Sequence, residues 1–418
     1  MSDAVEHDLG LQGLRARQAV RPLARSSSKA RDCALADAAD LLLKGADEVL
    51  EANEIDLASA RESGASGAAL DRLTLTMGRI ESMASGLLEL RALGDPLGEV
   101  VDGWVRPNGL RVERVRVPLG VVGIIYENRP NVTSDATGLC VKSGNVAFLR
   151  GSSSAARSNA AIVSLLRRAL VQAGLPEDGV QLVGDTSHEA AVAFMKLRGI
   201  IDCLIPRGSR ALIDLLVEEA TVPYVLDGDG NCHLYVDRSA NLDMATRVLV
   251  NAKTQRPGVC NAVESLLVHR DVAEHFVPMA AAALDGVEIR GDEKVRTLVP
   301  SAVAATEEDF STEFLSLCIS VAVVDDLDAA ISHIERFGSG HSEAIVTDDI
   351  CASERFVREV DAAAVLVNAS TRFIDGGELG LGAEVGISTQ KLHSRGPMGL
   401  RELTCAKWVV RGEGQVRS

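Results

Sequence analysis

From Val121 onward, short apolar runs alternate with amphipathic segments: "VVGIIYE", "NVAFLR", "SNAAIVSLLRRALVQAG", "GVQLV", "HEAAVAFMKL", "IDCLIP" and "SRALIDLLVEEA". The apolar runs show no in-out alternation, so both faces of each are covered. Strands of that kind, separated by helical segments, belong to a parallel sheet layered with helices. A second series begins near Gly230 with "HLYVD", "DMATRVLVNAK", "AVESLLVH", "AEHFVPMAAAAL", "SVAVVDDLDAAISHIERF" and "EAIVTDD". Two series in 418 residues predict two α/β lobes, with ligands expected beyond the carboxyl ends of the strands.

Residues 12–94 carry Leu, Ala and Val at spacings of three and four and read as helices up to the stop at "GDPLGE". Residues 100–120 alternate Val and Leu with Arg and Glu around Pro107-Asn108-Gly109, the signature of an exposed hairpin. The strand-like "AKWVV" near the end lies beyond both series. With the hairpin it forms a small accessory sheet suited to subunit pairing.

The net charge of −16 argues against a nucleic-acid surface, which needs clustered Lys and Arg. No apolar run approaches the roughly 18 residues of a membrane span, and the first residues lack a signal-peptide core. The eight cysteines are scattered without CxxC or Cys/His spacing, so neither a metal nor a disulfide framework is expected. A cytoplasmic location follows as an expectation.

No G-x-G-x-x-G follows a strand, and no G-x-S-x-G elbow is present. Two strand-to-helix junctions are nonetheless polar: Arg150 with Ser152 to Ser154, and Arg207 with Gly208 and Ser209. A helix N-terminus presents unpaired N–H groups to an anion, or each serine is simply an N-cap. Two junctions in one sheet favour a dinucleotide.

"TQRPGVCNA" (254–262) sets Cys260 between a helix-breaking Pro-Gly pair and an apolar run. If that run opens a helix, its N–H dipoles and Arg256 lower the thiol pKa. The competing reading is a small buried residue at a turn. Cys140 and Cys203 fall in apolar patterns and read as packed, while polar-flanked Cys232 is a weaker rival. In "FGSGHSEAI", His341 and Glu343 read as active-site groups or as parts of a tight connection. Residues 368–399 lack apolar periodicity, and a loop that long is functional or disordered. Its Asn368, Ser370, Arg372, Ser388, Thr389, His393 and Arg395 are donors suited to a small anionic substrate.

"VPLGVVGIIYENRPNVTSDA", "KTQRPGVCNAVESLLVH", "HIERFGSGHSEAIVT" and "GLGAEVGISTQKLHSRGPMGLRELTCAKW" occur in order along the chain. Together they resemble the γ-glutamyl phosphate reductases, or glutamate-5-semialdehyde dehydrogenases, of the aldehyde dehydrogenase superfamily. The resemblance implies an α/β fold with a Rossmann-like parallel-sheet cofactor domain, an α/β catalytic domain and a small β oligomerisation element. The corresponding segments are 1–229 with the N-terminal helices, 230–398, and 98–118 with 399–418.

It further implies NADPH-dependent reduction of L-glutamyl 5-phosphate to glutamate 5-semialdehyde and phosphate, the second step of proline synthesis from glutamate. A homo-oligomer is implied, and association with glutamate 5-kinase, which makes the labile acyl phosphate, stays open. Cys260 takes the place of the superfamily nucleophile and Asn128 that of the oxyanion donor. Arg150 stands where a lysine reads the adenosine ribose, a change that suits the 2′-phosphate of NADPH. Glu313 matches the glutamate that holds the nicotinamide ribose, and Gly208 and Ser209 fall at the pyrophosphate turn. Hydrolytic relatives carry a glutamate base where this chain has Asp227, and an acyl-phosphate reductase does not hydrolyse its thioester. The alternatives are a CoA-acylating or hydrolytic sister enzyme, or a silent nucleotide-binding protein.

Overall fold

The computed structural model describes residues 3–65, 67–226 and 228–417. The chain forms two compact units. One holds the residues up to Leu226, with Gly380–Gly386 and the chain from Met398 onward; the other holds the residues after Leu226 up to Leu379, with Ile387–Pro397.

In the first unit, a four-stranded parallel sheet runs in the order Val180–Leu182, Val146–Gly151, Val121–Tyr126, Cys203–Arg207. The strands Val121–Tyr126 and Val146–Gly151 are buried at every position, as unpatterned apolar runs require. The N-terminal segment forms the helices Asp3–Ala24, Ser28–Lys44, Ala46–Glu62, Gly67–Leu73 and Met77–Ala92. Their apolar stripes, including Leu35, Leu42, Ile80 and Leu87, join the core of the sheet.

The expected hairpin pairs Val100–Val105 with Arg111–Pro118 through a turn in which Gly109 has φ +89°. Thr404–Arg411 adds a third antiparallel strand. Trp104 and Trp408 meet edge to face at 5.7 Å across this sheet, yet both remain exposed, as do Val105 and Val410.

The second unit is built on seven parallel strands in the order Val303–Ala304, Glu288–Gly291, Cys318–Val324, Val263–His269, Cys232–Val236, Ser342–Val346, Ala364–Val367. After the helix Arg210–Glu219, Tyr224 adds only an isolated bridge to Leu204. No helix among the described residues is long and apolar enough to cross a membrane.

Candidate active site

The first unit gathers its polar groups at the carboxyl ends of its strands. The chain leaves Val121–Tyr126, turns through Glu127 and Asn128, and enters the helix Asn131–Lys142. Asn128 adopts φ +46°, a left-handed conformation that Asn tolerates better than most residues. Its backbone N–H donates to Ser152 Oγ at 3.2 Å, and its Oδ1 accepts from the Ser154 hydroxyl. Ser152 and Ser154 share a 2.8 Å hydrogen bond. With both serines on the oxygen side, the Asn128 NH₂ is left to donate elsewhere.

Arg150 is buried, and its Nη2 donates to the Thr186 and Ser187 carbonyls at 2.8 Å each. Its Nε finds no acceptor. At the next junction, the N–H of Ser209 donates to Glu127 Oε2 at 2.7 Å, just before the helix Arg210–Glu219. A side chain on Gly208 would crowd that carboxylate, its Cβ falling 2.6 Å from Oε2. The junction therefore already holds an anion, and the buried cation with an unpaired N–H lies two strands away in the same sheet, across Val121–Tyr126. Both features fit a dinucleotide phosphate.

The second unit differs from the expected pattern: its reactive groups cluster at the amino ends of the strands. Cys260 follows the helix Leu242–Thr254 and precedes the strand Val263–His269. The helix anticipated after Cys260 is a strand, because a seven-residue apolar run is long enough for either element. The run after Cys260 therefore offers the thiol no helix N-terminus.

The loop is instead fixed by contacts on both sides. Asn261 Nδ2 donates to the Ile374 carbonyl at 2.7 Å, and the Thr371 hydroxyl donates to the Asn261 carbonyl at 2.6 Å. Arg372 Nε donates to Gln255 Oε1 at 2.7 Å, so the short turn Thr371–Phe373 grips the loop before and after the cysteine. Cys260 is half-buried, and Arg372 interacts electrostatically with both its thiol and Arg256.

Cys232, the weaker rival, is fully buried, and burial raises its thiol pKa well above the ordinary range. It donates to the Cys260 carbonyl at 3.2 Å and lies 3.7 Å from His341 Nδ1. His341 and Glu343 are buried as well. Glu343 Oε2 accepts from the backbone N–H of His233 at 2.8 Å and lies 3.0 Å from its Nδ1. Both residues therefore support the floor under the cysteine.

Glu313 Oε1 accepts from the N–H of Gly230 at 2.9 Å. Gly230 must be glycine because a Cβ there would overlap the Cys260 carbonyl. Arg395 goes to Asp361, at 2.8 Å, and exposed His393 has φ +72°. Of the three substrate-binding candidates, Arg372 is tied to the cysteine loop by its bond to Gln255. Asp227 lies outside the described residues. The described residues contain no cluster of His, Cys, Asp and Glu able to hold a metal.

Glu127, Gly230, Lys253 and Glu264 are given no role in the site by the sequence reading. The signal for the last two is a charge inside an apolar pattern, Lys253 closing "LVNAK" and Glu264 opening "VESLLV". Burial pushes the Glu264 carboxyl up to about 7, against the opposing pull of Lys253.

Residues 13–315 match the model of the aldehyde dehydrogenase family. The chain is 54% identical over 415 residues to a γ-glutamyl phosphate reductase of Thermobifida fusca, covering 99% of each chain. It is 50% identical to one from Caldanaerobacter subterraneus, covering 98% of this chain and 100% of that one. The crystal structure of γ-glutamyl phosphate reductase from Thermotoga maritima superposes with a TM-score of 0.95 at 48% identity, covering 97% of this chain and 99% of that one.

Proposed function

Because the chain belongs to the aldehyde dehydrogenase family, and within it to the γ-glutamyl phosphate reductases of proline biosynthesis, we propose that it reduces L-glutamyl 5-phosphate with NADPH through a thioester on Cys260. The observation that carries this reading is the placing of Cys260. Of the thiols in the second unit's strand-end cluster, Cys232 is buried and Cys260 is accessible, on a loop gripped from both sides.

In this reading the Cys260 thiolate attacks the acyl carbon and forms the C–S bond, while the C–O bond to phosphate breaks and phosphate leaves with the electron pair. The Arg372 charge supports the thiolate and draws the anionic substrate towards it. NADPH, when bound, would supply the hydride to the thioester carbon, and cleavage of the C–S bond would release the aldehyde and return the Cys260 thiolate. Asn128 keeps the oxyanion role of the family pattern, and the two serines on its Oδ1 favour presentation of its NH₂.

Arg150 suits the 2′-phosphate, the Gly208-Ser209 turn suits the pyrophosphate, and Glu313 suits the nicotinamide ribose. Cys260 needs no hydrolytic base, since phosphate leaves without water. The exposed Trp104, Val105, Trp408 and Val410 make the accessory sheet the pairing surface of a homo-oligomer.

The test follows NADP⁺ reduction with glutamate 5-semialdehyde and phosphate, in wild type and Cys260→Ala. Phosphate-dependent turnover that vanishes in the variant is expected. Turnover without phosphate overturns the substrate assignment, and activity in the variant overturns the nucleophile.

A further inference from the structure

Two charges that the reaction does not use bracket the cysteine loop. Lys253 lies in the last turn of the helix Leu242–Thr254 and Glu264 is the second residue of the strand Val263–His269; both are completely buried. Nζ of Lys253 lies 2.5 Å from Glu264 Oε2. The intervening chain carries Cys260. A buried ion pair is a weak source of stability, because desolvation offsets its attraction and apolar side chains of similar volume do as well or better. Its presence here calls for a geometric reason.

The second carboxylate oxygen supplies one. Glu264 Oε1 accepts from the N–H of Leu315 at 3.2 Å, and Leu315 has φ +52°, a conformation that a leucine holds only when its surroundings impose it. Two residues earlier stands Glu313, whose carboxylate accepts from the N–H of Gly230. Gly230 packs so closely on Cys260 that it has no room for a Cβ. The contacts close a ring from the cysteine loop through Glu264, Leu315, Glu313 and Gly230 back to the Cys260 carbonyl.

We propose that Lys253 and Glu264 are positioning residues: the ion pair fixes the ends of the Cys260 loop, and the free carboxylate oxygen locks the Glu313 loop to the same frame. The proposal rests on Cys260 being the nucleophile. Lys253 aims the Glu264 carboxyl group, and Glu264 holds two loops in one register. Neither touches substrate. A shift of about 1 Å in such a frame lowers turnover up to ~100-fold.

The test replaces the pair with apolar side chains in Lys253→Met/Glu264→Leu, measured as NADP⁺ reduction with semialdehyde and phosphate. The expected result is a folded protein whose melting temperature stays close to wild type, with kcat at least about tenfold lower and KM for both substrates changed less than about threefold. Lys253→Met/Glu264→Gln retains an oxygen for Leu315 and is expected to recover part of the lost kcat.

A folded apolar double variant with wild-type kcat overturns the proposal. If that variant does not fold, Glu264→Asp decides: its shorter side chain cannot hold Lys253 and Leu315 together, so kcat falls with KM retained, and wild-type kcat overturns the proposal. Active Cys260→Ala in the same assay removes the nucleophile reading itself. Inactive Cys260→Ala beside an unimpaired Lys253→Met/Glu264→Leu removes only the positioning role.

Discussion

Cys232 and Cys260 are joined through the peptide and not through sulfur: the buried Cys232 thiol donates to the Cys260 carbonyl at 3.2 Å. One cysteine thus serves as a fixed donor beneath the other. Because burial raises the Cys232 thiol while Cys260 is accessible, the two are expected to react very differently. Brief iodoacetamide treatment of the native protein should modify Cys260 and spare Cys232, read by peptide mass spectrometry, with activity lost in step. Cys232→Ala, which removes the donor and some packing, should lower stability by about 1–2 kcal/mol, measured by urea unfolding.

Gly230 is the most constrained position near Cys260. Its φ is ordinary; space is what excludes a side chain, since a Cβ would overlap the Cys260 carbonyl. Gly230→Ala must push the cysteine loop away or break the Gly230 N–H bond to Glu313. The expected outcome is a loss of about 3 kcal/mol together with a fall in kcat, measured by urea unfolding and initial rates. A fully active, fully stable alanine variant would refute this packing argument.

Ser154→Ala probes the Asn128 amide. The serine hydroxyl donates to Asn128 Oδ1, so its removal frees the amide to turn. A loss of up to about tenfold in kcat is expected, against about 10²–10³-fold for Asn128→Ala. Equal losses in the two variants would mean that Ser154 does more than orient the amide.

Much of this arrangement is legible in the chain before folding, and the exceptions have physical causes. The buried strand Val121–Tyr126 follows from an unbroken apolar run. "VESLLVH" mixes apolar and polar residues over a length that fits a helix turn or a strand, and only pairing with Cys232–Val236 and Cys318–Val324 decides for the strand. The clustering of Cys260, Cys232, Glu313 and His341 at amino ends is invisible locally, because it depends on the order in which seven strands pair. Lys253 and Glu264 look like two unrelated charges until the helix and strand bring them together. Arg372 and Arg395 look alike in the loop sequence, and their partners alone separate them.

His333 offers a pH test away from the reacting groups. Its ring lies against Phe310 at 5.1 Å, Phe337 at 4.7 Å and His233 at 5.5 Å, and neither ring nitrogen has a hydrogen-bond partner. Burial, with smaller contributions from His233 and Arg336, lowers its pKa from 6.5 to about 3. The folded state therefore keeps His333 neutral while the unfolded chain takes up a proton below about 6.5. The sign follows directly: this residue's contribution to stability is complete above the unfolded pKa and is lost as pH falls towards 3. The slope from one histidine is at most about 1.4 kcal/mol per pH unit. Urea unfolding near pH 7 and near pH 5 should show a smaller loss of stability in His333→Leu than in wild type. An identical loss in the two proteins would mean that the ring takes up its proton without leaving the aromatic cluster.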